Sequence, residues 1–393
     1  MSSYWLTICM IALYIIVQNG NAKFHCDTPE EWLMYDKSFI PGAKWPNGLV
    51  KYELHSSITE DLVPIVQSAI DDIQNKTCIR FQTRSFEELS YILIERDDTV
   101  CGIANGCRLG IPQSVKFGIG CADKNAIIHE IGHALCLGHE HTRKDRDDYI
   151  HFDGCPPGEP PPGKDNYDTR GHFYDYTSQM SYSCGWCPGG WPKMEGVEDW
   201  QCANSDGLSV LDADKLNDFY DCGGCHGYRW RQIDQLTEQD KRGMIKFGET
   251  DEGSPLYLCR GYMGGAIVSG KYWDQSRTCY LPYNGYEYQL QTNAQVFIFP
   301  VGKGVDGMQY QVKRINQTNI QQARKEKGFF SIPTGRKANS VPCYGASELI
   351  EQDGHSEWSI GVVCEDDWDR AYFPFWGREV VSSTYGVIGC GYS

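Results

Sequence analysis

The sequence predicts an α+β domain followed by an all-β repeat domain, and three observations support this division. Residues 45–222 alternate strand-like and helical segments, the pattern typical of an α+β domain. Beyond Cys225 the chain becomes rich in Gly, Tyr and short β-prone runs, and one segment of this part recurs further along. With 393 residues, 41% of them hydrophobic, the chain exceeds one typical domain and has material for two cores.

The N-terminus, residues 1–22, is predicted to be a signal peptide. A short, almost uncharged apolar run over residues 5–17 precedes small residues that end at Ala22, the expected cleavage point. No basic residue precedes the run, which keeps a membrane anchor as the alternative, but the run is short for a bilayer span. We therefore expect a secreted, extracellular protein without a membrane span. Residues 23–44 are interpreted as a propeptide or N-terminal extension.

The cysteine count and the net charge bound the environment and the partners. Eighteen cysteines argue for an oxidising compartment in which disulfides form. Loss of the signal peptide removes Cys9 and leaves an odd number, so one thiol must be free or bonded to another molecule. Glycosylation sequons at Asn75 and Asn316 agree with secretion. A net charge of −16 argues against nucleic acid or anionic membrane as partner, because both require clustered Lys and Arg.

Three segments of the α+β domain have a structure that their composition predicts. Residues 62–76 carry apolar side chains at three- and four-residue spacings, which predicts an amphipathic helix. Residues 91–94 are consecutive Tyr, Ile and Leu, which predicts a buried strand. Residues 155–163 are rich in Pro and Gly, and we expect an irregular loop there because proline removes backbone donors.

The next predicted helix carries a candidate metal site. His129 and His133 are four residues apart, so on a helix they project from one face and can occupy two corners of a tetrahedral zinc site. Glu130 lies beside them, placed to hold a water on the metal and to accept its proton. His139 would lie on the far side of a continuing helix, so the helix must end before it. Gly is expected at such a turn, and position 136 is Cys136.

The chemistry that this arrangement suits is hydrolysis of peptide bonds. A zinc ion acts as a Lewis acid and lowers the pKa of a bound water to about 7. The alternative, a chance cluster of histidines, is weak because four of the ten histidines fall within residues 129–141 and three have the spacing of zinc ligands.

The sequence that follows the third histidine resembles one peptidase family. Residues 140–149 read EHTRKDRDDY, which is similar to the extended zinc signature of the astacin family of metzincins. Residues 44–48, 76–81 and 209–222 add further matches, so the resemblance covers about residues 41–222. It implies a metzincin catalytic domain with a mixed sheet and an active-site helix over residues 45–222. It also implies one zinc ion in that domain and a protein or peptide substrate.

The resemblance extends to the Met-turn of the family, which residues 174–182 match. Met180 would pack beneath the zinc ligands, and Tyr182 would be a fifth ligand that swings to stabilise the transition-state oxyanion. Ser181 departs from the usual His, a supporting residue. Glu140 would meet the new N-terminus that activation creates.

Latency and disulfides are the remaining features that the resemblance bears on. We find no copy of the Phe-x-Gly-Asp segment whose Asp blocks the zinc, and Asp27 or Cys26 are the candidate substitutes. The family pairs cysteines that correspond to Cys78 with Cys222 and Cys101 with Cys121. For Cys136 two readings are open, a disulfide with Cys107 or a free thiol near the metal. The pairs Cys184 with Cys187 and Cys222 with Cys225 have zinc-ribbon spacing, but disulfides are favoured in a secreted chain.

The second domain is predicted to contain two copies of one β-rich unit within residues 254–393, after a linker at 223–253. Residues 280–287 match residues 372–379 at Tyr, Pro, an aromatic residue, Gly and Glu. Agreement at five positions in register makes chance similarity among aromatic turns the weaker explanation. Two such copies would bury a shared core.

These copies resemble the DM-nine repeats of invertebrate lectin-like proteins. The resemblance implies recognition of a mannose-type glycan, with Lys271 and Glu287 as the polar candidates in the first repeat. Val362 stands in the second repeat where Lys271 stands in the first. The alternative is that the two repeats only pack against each other.

Two functional hypotheses follow from the sequence. The leading one is a secreted zinc endopeptidase whose C-terminal repeats direct it to glycans or to a partner. Its rival is a catalytically impaired protease scaffold that acts as a lectin-like binding protein, and Cys136 and Ser181 motivate it. A third, weaker hypothesis is a lectin for which proteolysis is secondary.

Overall fold

The fold is that of a computed structural model, which describes residues 44–118, 120–152, 161–165, 168–184, 190–203, 205–304, 308–314 and 329–392. The predicted signal peptide, nearly all of the predicted extension at 23–44, most of the Pro-rich loop at 155–163 and the sequon at Asn316 lie outside these residues. Within them, no helix has both the length and the apolar character needed to cross a membrane.

The N-terminal part is an α+β domain with a five-stranded mixed sheet in the order β2-β1-β3-β5-β4. Strand β4 lies at the edge and runs antiparallel to β5, whereas the other pairings are parallel. Its elements are β1 (Leu49–Leu54), α1 (Val63–Lys76), β2 (Arg80–Thr83), β3 (Tyr91–Arg96), β4 (Gly102–Ala104), β5 (Pro112–Phe117), α2 (Lys124–Ala134), the short strands β6 (Ile150–His151) and β7 (Trp191–Pro192), and α3 (Val210–Phe219).

The core of this domain lies between the sheet and the helices. Helix α1 coincides with the helix predicted at 62–76 and buries its apolar stripe, including Ile70 and Ile73. Strand β3 contains the predicted strand, and Ile92 and Ile94 are fully buried in the same cluster. Burying side chains of this size stabilises the fold by roughly 1.5–3 kcal/mol each. Helix α2 is buried from its second residue onward, which places its histidines in the interior.

The C-terminal part is all-β, as the sequence predicts, with one short helix. Its fifteen strands are hydrogen-bonded into one continuous sheet. They are β8 (Arg229–Gln232), β9 (Lys246–Glu249), β10 (Pro255–Met263), β11 (Ala266–Trp273), β12 (Thr278–Tyr283), β13 (Tyr286–Leu290), β14 (Ala294–Ile298), β15 (Met308–Arg314), β16 (Phe329–Ser331), β17 (Pro333–Arg336), β18 (Pro342–Gln352), β19 (His355–Cys364), β20 (Asp367–Phe375), β21 (Arg378–Ser382) and β22 (Gly386–Tyr392), with helix α4 (Glu238–Lys241) between β8 and β9.

The internal repeat corresponds to two hairpins of the same geometry. The hairpin β12–β13 pairs Pro282 with Glu287, and the hairpin β20–β21 pairs Pro374 with Glu379, in the same register. Each hairpin donates a turn amide to the glutamate of the other. The disulfides Cys259–Cys279 and Cys343–Cys364 span 20 and 21 residues and contribute to one shared core cluster.

The linker expected at residues 223–253 is instead part of this sheet. Strand β8 pairs with β14, and β9 pairs with β10. The disulfide Cys225–Cys390 joins the segment just before β8 to β22, the last strand in the chain. Strands β8 and β9 are only four residues long, which is too short for a two-residue period to distinguish them from a loop.

Seven disulfides connect fourteen cysteines among the described residues, and the zinc-ribbon alternative is wrong. Cys184 pairs with Cys202, and the neighbours Cys222 and Cys225 pair with different partners. The bonds Cys78–Cys222 and Cys101–Cys121 are those that the family resemblance implied. The other four cysteines, Cys9, Cys26, Cys155 and Cys187, lie outside the described residues.

Candidate zinc site

Three histidines converge at the end of helix α2. The Nε2 atoms of His129, His133 and His139 lie 3.1–3.2 Å from one another, and all three side chains are buried. Zinc–nitrogen bonds of about 2.0–2.1 Å at a tetrahedral ion place ligand nitrogens about 3.3–3.4 Å apart, close to these separations. Among the described residues, this is the one group whose donor atoms could hold a metal ion.

The hydrogen bonds of the rings fix which nitrogen faces the centre. His129 Nδ1 donates to the Gln179 carbonyl at 2.6 Å, and His133 Nδ1 donates to the Leu137 carbonyl at 2.9 Å. A carbonyl oxygen only accepts, so each Nδ1 carries the proton and each Nε2 presents a lone pair. Lone pairs that converge in a buried space repel one another unless a cation lies between them. The donor set therefore fits zinc.

The turn that brings His139 to the site is made with Cys136 in the position where Gly is expected. Cys136 has φ 77°, in the left-handed region, and its N–H donates to the His133 carbonyl while Leu137 N–H donates to the Gly132 carbonyl. These two bonds form the Schellman motif that usually ends with Gly. A disulfide joins Cys136 to Cys107, so the first of the two readings is correct and the thiol is not free.

Glu130 is buried beside the histidines on the same helix, with a relative exposure of 2%. The edge strand β4 passes directly over it. A Cβ on Gly102 would lie 2.3 Å from Glu130 Oε1, so the absence of a side chain at Gly102 makes the space that the carboxylate occupies. No local sequence pattern indicates this role of Gly102, because it depends on a contact between β4 and α2.

Met180, in the predicted Met-turn, lies against helix α2. A Cβ on Gly132 would lie 2.6 Å from Met180 Sδ, so this glycine allows the close approach. Tyr182 lies near the third histidine, with ring centroids 5.3 Å apart, and stacks on His141 at 4.2 Å. Ser181, the departure from the family pattern, donates to the Tyr182 carbonyl and is buried. It therefore fits the site without displacing Met180 or Tyr182.

Glu140 joins the third-histidine segment to helix α3. Its Oε1 accepts from Arg143 at 2.8 Å and from the Asp175 amide at 2.7 Å, and its Oε2 accepts from Lys215 at 2.6 Å. Lys215 and Arg143 thus both donate to the Glu140 carboxylate. The terminus that the resemblance implied as a partner would come from the extension at 23–44, nearly all of which lies outside the described residues.

Asp212 on helix α3 is a supporting residue to which the sequence analysis gave no role. Its carboxylate accepts from Ser178 Oγ at 2.6 Å and from the Gln179 backbone amide at 3.0 Å, and the Gln179 carbonyl in turn accepts a hydrogen bond from His129 Nδ1. Burial raises the pKa of Asp212 to about 6, and the charge of Lys215 lowers it in part. No motif spacing points to Asp212, since it acts across 33 residues of chain.

The two candidate glycan residues meet inside the β-domain. Lys271 Nζ lies 3.3 Å from Glu287 and 2.6 Å from Glu357, and these side chains are at most 10% exposed. Glu287 also accepts from the Gly377 amide at 2.6 Å. Lys271 therefore neutralises two buried carboxylates at the junction of the repeats. The sequon residue Asn75 lies exposed near the end of α1.

Comparison with known proteins identifies two families along the chain. Residues 40–221 match the family model of astacin, peptidase family M12A, and residues 222–290 match that of the DM9 repeat. The zinc metalloproteinase nas-14 of Caenorhabditis elegans is 34% identical over 201 residues, which are 47% of this chain and 38% of that protein. The astacin-like metalloprotease toxin 2 of Loxosceles intermedia is 32% identical over 204 residues, which are 47% of this chain and 76% of that protein.

Solved structures include a similar chain, high choriolytic enzyme 1, a hatching enzyme zinc-protease of the medaka Oryzias latipes. It shares 28% sequence identity, with a TM-score of 0.40 and coverage of 46% of this chain and 93% of that one. The chain spans 38–58% of the length of three Caenorhabditis elegans relatives that it matches. The DM9 match covers residues 222–290 and so includes the whole stretch 223–253 that we expected to be a linker.

Proposed function

Because the chain belongs to the astacin family of zinc metallopeptidases, we propose that it is a zinc-dependent endopeptidase that cleaves peptide bonds within proteins. The observation that carries this proposal is the meeting of three buried Nε2 atoms within 3.2 Å, with Glu130 buried beside them. Three protein ligands leave a tetrahedral site one position for water or substrate, as in catalytic zinc sites.

The residues divide the reaction between them. Zinc, when bound by His129, His133 and His139, supplies a Lewis acid that polarises water and the substrate carbonyl. Glu130 accepts the proton of the attacking water and passes it to the leaving amine. The hydroxyl of Tyr182 donates to the oxyanion that develops on the carbonyl oxygen.

The two residues that motivated the rival hypothesis of an impaired protease scaffold, Cys136 and Ser181, do not support it. Cys136 is bonded to Cys107 and holds the turn that Gly would hold. Ser181 is buried and hydrogen-bonded beside Tyr182. Neither substitution removes a proposed ligand, the base or the oxyanion donor.

Digestion of an unfolded protein tests the proposal directly. We expect purified protein to cut casein or gelatin at internal bonds, which mass spectrometry detects as fragments that carry neither terminus of the substrate. Purified, zinc-loaded protein that leaves casein and gelatin intact would favour the binding-scaffold hypothesis instead.

We further propose that the protein acts outside the cell with one zinc ion per chain. Seven disulfides among the described residues support an oxidising compartment. The single group of three histidines in the described part supports one metal.

A second proposed function is glycan binding by the β-domain, at the turns that join β18 to β19 and β20 to β21. A cavity of about 190 Å³ is lined by Gln352, Asp353, His355, Phe375, Trp376 and Arg378. Trp376 is 58% exposed, and its ring stacks on His355 at 3.7 Å. An exposed aromatic face beside polar groups suits a sugar ring, which has an apolar face and hydroxyl edges.

The backbone of Trp376 supports a functional role for this residue. Trp376 has φ 48° and Asn284, at the same place in the first repeat, has φ 49°. Asn tolerates this left-handed conformation, whereas a bulky side chain there costs about 1–2 kcal/mol. Lys271 and Glu287 lie directly behind this turn, since Glu287 binds the Gly377 amide. We therefore propose that they support the glycan site from within.

Trp376→Ala is expected to abolish retention of the full-length protein on a mannose resin, because it removes the exposed face and leaves the turn intact. Elution volume against free mannose measures this. Trp200→Ala is the matched control, since Trp200 is 56% exposed and lies in the peptidase domain. Equal retention of both variants and the unsubstituted protein, or no retention of any of them, would remove this site from the account.

A further inference from the structure

Side chains of the β-domain form hydrogen bonds with residues 171–175, the segment that leads into the Met-turn. The carbonyl of Gly171 accepts from Gln232 at 3.0 Å and from Gln295 at 2.8 Å, both residues of the β-domain. Gln295 is fully buried and also accepts from Arg260. Residues 171–175 of the peptidase domain are therefore fixed at their first residue by side chains from the other domain.

Tyr262 makes the contact that reaches furthest towards the zinc site. Its hydroxyl donates to the Tyr174 carbonyl at 2.5 Å, and its ring lies 5.3 Å from that of Phe173. Burial raises the pKa of Tyr262, so the hydroxyl stays protonated and continues to donate. The N–H of the same peptide group belongs to Asp175 and donates to Glu140 Oε1 at 2.7 Å.

One peptide group thus connects the two domains to the third histidine. Its carbonyl, that of Tyr174, accepts a hydrogen bond from Tyr262 of the β-domain, and its N–H, that of Asp175, donates to Glu140. Glu140 directly follows His139 in the chain, and its own amide donates to the Met180 carbonyl at 2.8 Å. A shift of this peptide therefore moves the backbone on which His139 and Met180 depend.

Arg336 provides a second link from the β-domain. Its Nη2 lies 3.9 Å from Asp175 Oδ1, and its Nη1 donates to the Gly265 carbonyl at 2.9 Å. Both charged side chains are at most 2% exposed. The Asp175 carboxylate also accepts from the Thr177 amide at 3.0 Å and from Ser209 Oγ at 2.5 Å. Through its ion pair with Asp175, Arg336 thereby stabilises the turn between residue 175 and Met180.

We infer that Tyr262 and Arg336 of the β-domain are positioning residues of the zinc site, so the repeats are a structural part of the peptidase. The inference rests on the proposed function for its kinetic consequence, but its effect on metal binding is independent of activity. Residues that orient metal ligands from outside the ligand set commonly change affinity or activity by about 10–100-fold. Displacing a reacting group by about 1 Å can cost about 100-fold in rate.

The test uses the full chain and the conservative variant Tyr262→Phe, which keeps the ring and removes the donor. We expect zinc to leave for a chelator about 10-fold faster, the visible spectrum of the cobalt-substituted protein to shift, and kcat to fall while KM changes little. Arg336→Met should behave similarly, with partial recovery in Arg336→Lys. Tyr286→Phe is the matched control, because Tyr286 is a tyrosine of the same domain that is 64% exposed.

The outcomes separate this inference from the proposed function. A Tyr262→Phe protein with the zinc release rate, cobalt spectrum and kcat of the original would overturn the inference. A lower melting temperature with unchanged zinc release and spectrum would do the same, since it shows a role in folding alone. If the original protein cleaves nothing, the proposed function fails, and zinc release and the cobalt spectrum still decide the inference. If Arg336→Met does not fold, Tyr262→Phe decides it.

Discussion

Replacing Glu130 with Gln is expected to lower casein hydrolysis by about 10²–10⁴-fold while zinc stays bound. Gln has the shape of Glu, so it fits the space that Gly102 leaves, but its amide cannot accept the proton of the attacking water. Glu130 is not one of the three residues whose nitrogens converge, so the metal loses no ligand. Initial rates on casein and metal analysis of the same sample measure both effects.

Glu88→Gln is the control for this prediction. Glu88 lies in the same domain and pairs with Lys51 at 2.8 Å on the surface, so the same substitution there should leave the rate unchanged. Hydrolysis by Glu130→Gln at more than a tenth of the original rate would show that another group accepts the proton. Loss of zinc together with activity would instead make Glu130 part of the ligand set.

Removing the Cys107–Cys136 disulfide is expected to have the second largest effect, on both stability and metal binding. Closing a loop of this length, 29 residues, typically contributes about 2–4 kcal/mol. With Ala at both positions, the left-handed backbone at residue 136 still costs about 1–2 kcal/mol, as it does with Cys136, but the disulfide no longer holds it in place. Because this turn carries His139, we expect a lower melting temperature and a weaker hold on zinc.

A second double variant separates the two contributions. Cys107→Ala with Cys136→Gly also lacks the disulfide, but Gly adopts the left-handed conformation without penalty. It should bind zinc more tightly and melt at a higher temperature than the Ala–Ala variant. Equal melting temperatures and zinc affinities for the two variants would mean that the backbone at residue 136 does not control the position of His139.

The fold class and the meeting of three histidines at one point could be predicted from the sequence because their signals are local. The four-residue spacing of His129 and His133 specifies a helical face, and the change from helical to β-prone composition marks the second domain. The repeat was visible because two hairpins share one register, which places the same residue types at the same positions.

Features that depend on distant contacts could not be predicted. Asp212 and Tyr262 support the site from elements far along the chain, and nothing in their local sequence indicates it. The disulfide of Cys136 is one of two alternatives that the sequence leaves open, because cysteine pairing cannot be deduced from spacing. The strands within residues 223–253 were too short to show a period.

The burial of Lys271 and Glu287 is a further feature that residue type does not indicate. Sequence similarity to a lectin-like repeat pointed to both as polar ligands, and the structure places them in a buried ionic cluster with Glu357. Burial of charge is tolerated there because the partners are close and opposite in sign. Their role in glycan binding stays a prediction, and the exposed surface beside them is that of Trp376.

Zinc titration of metal-stripped protein tests the central claim most directly. The protein is stripped with a chelator, freed of it, and given zinc in steps while casein hydrolysis is followed. We expect no hydrolysis in the stripped protein, a linear rise on addition of zinc, and a plateau at one zinc per chain, because three histidines form one site. Full hydrolysis by the stripped protein, or zinc binding at this site with no recovery of hydrolysis, would contradict the account.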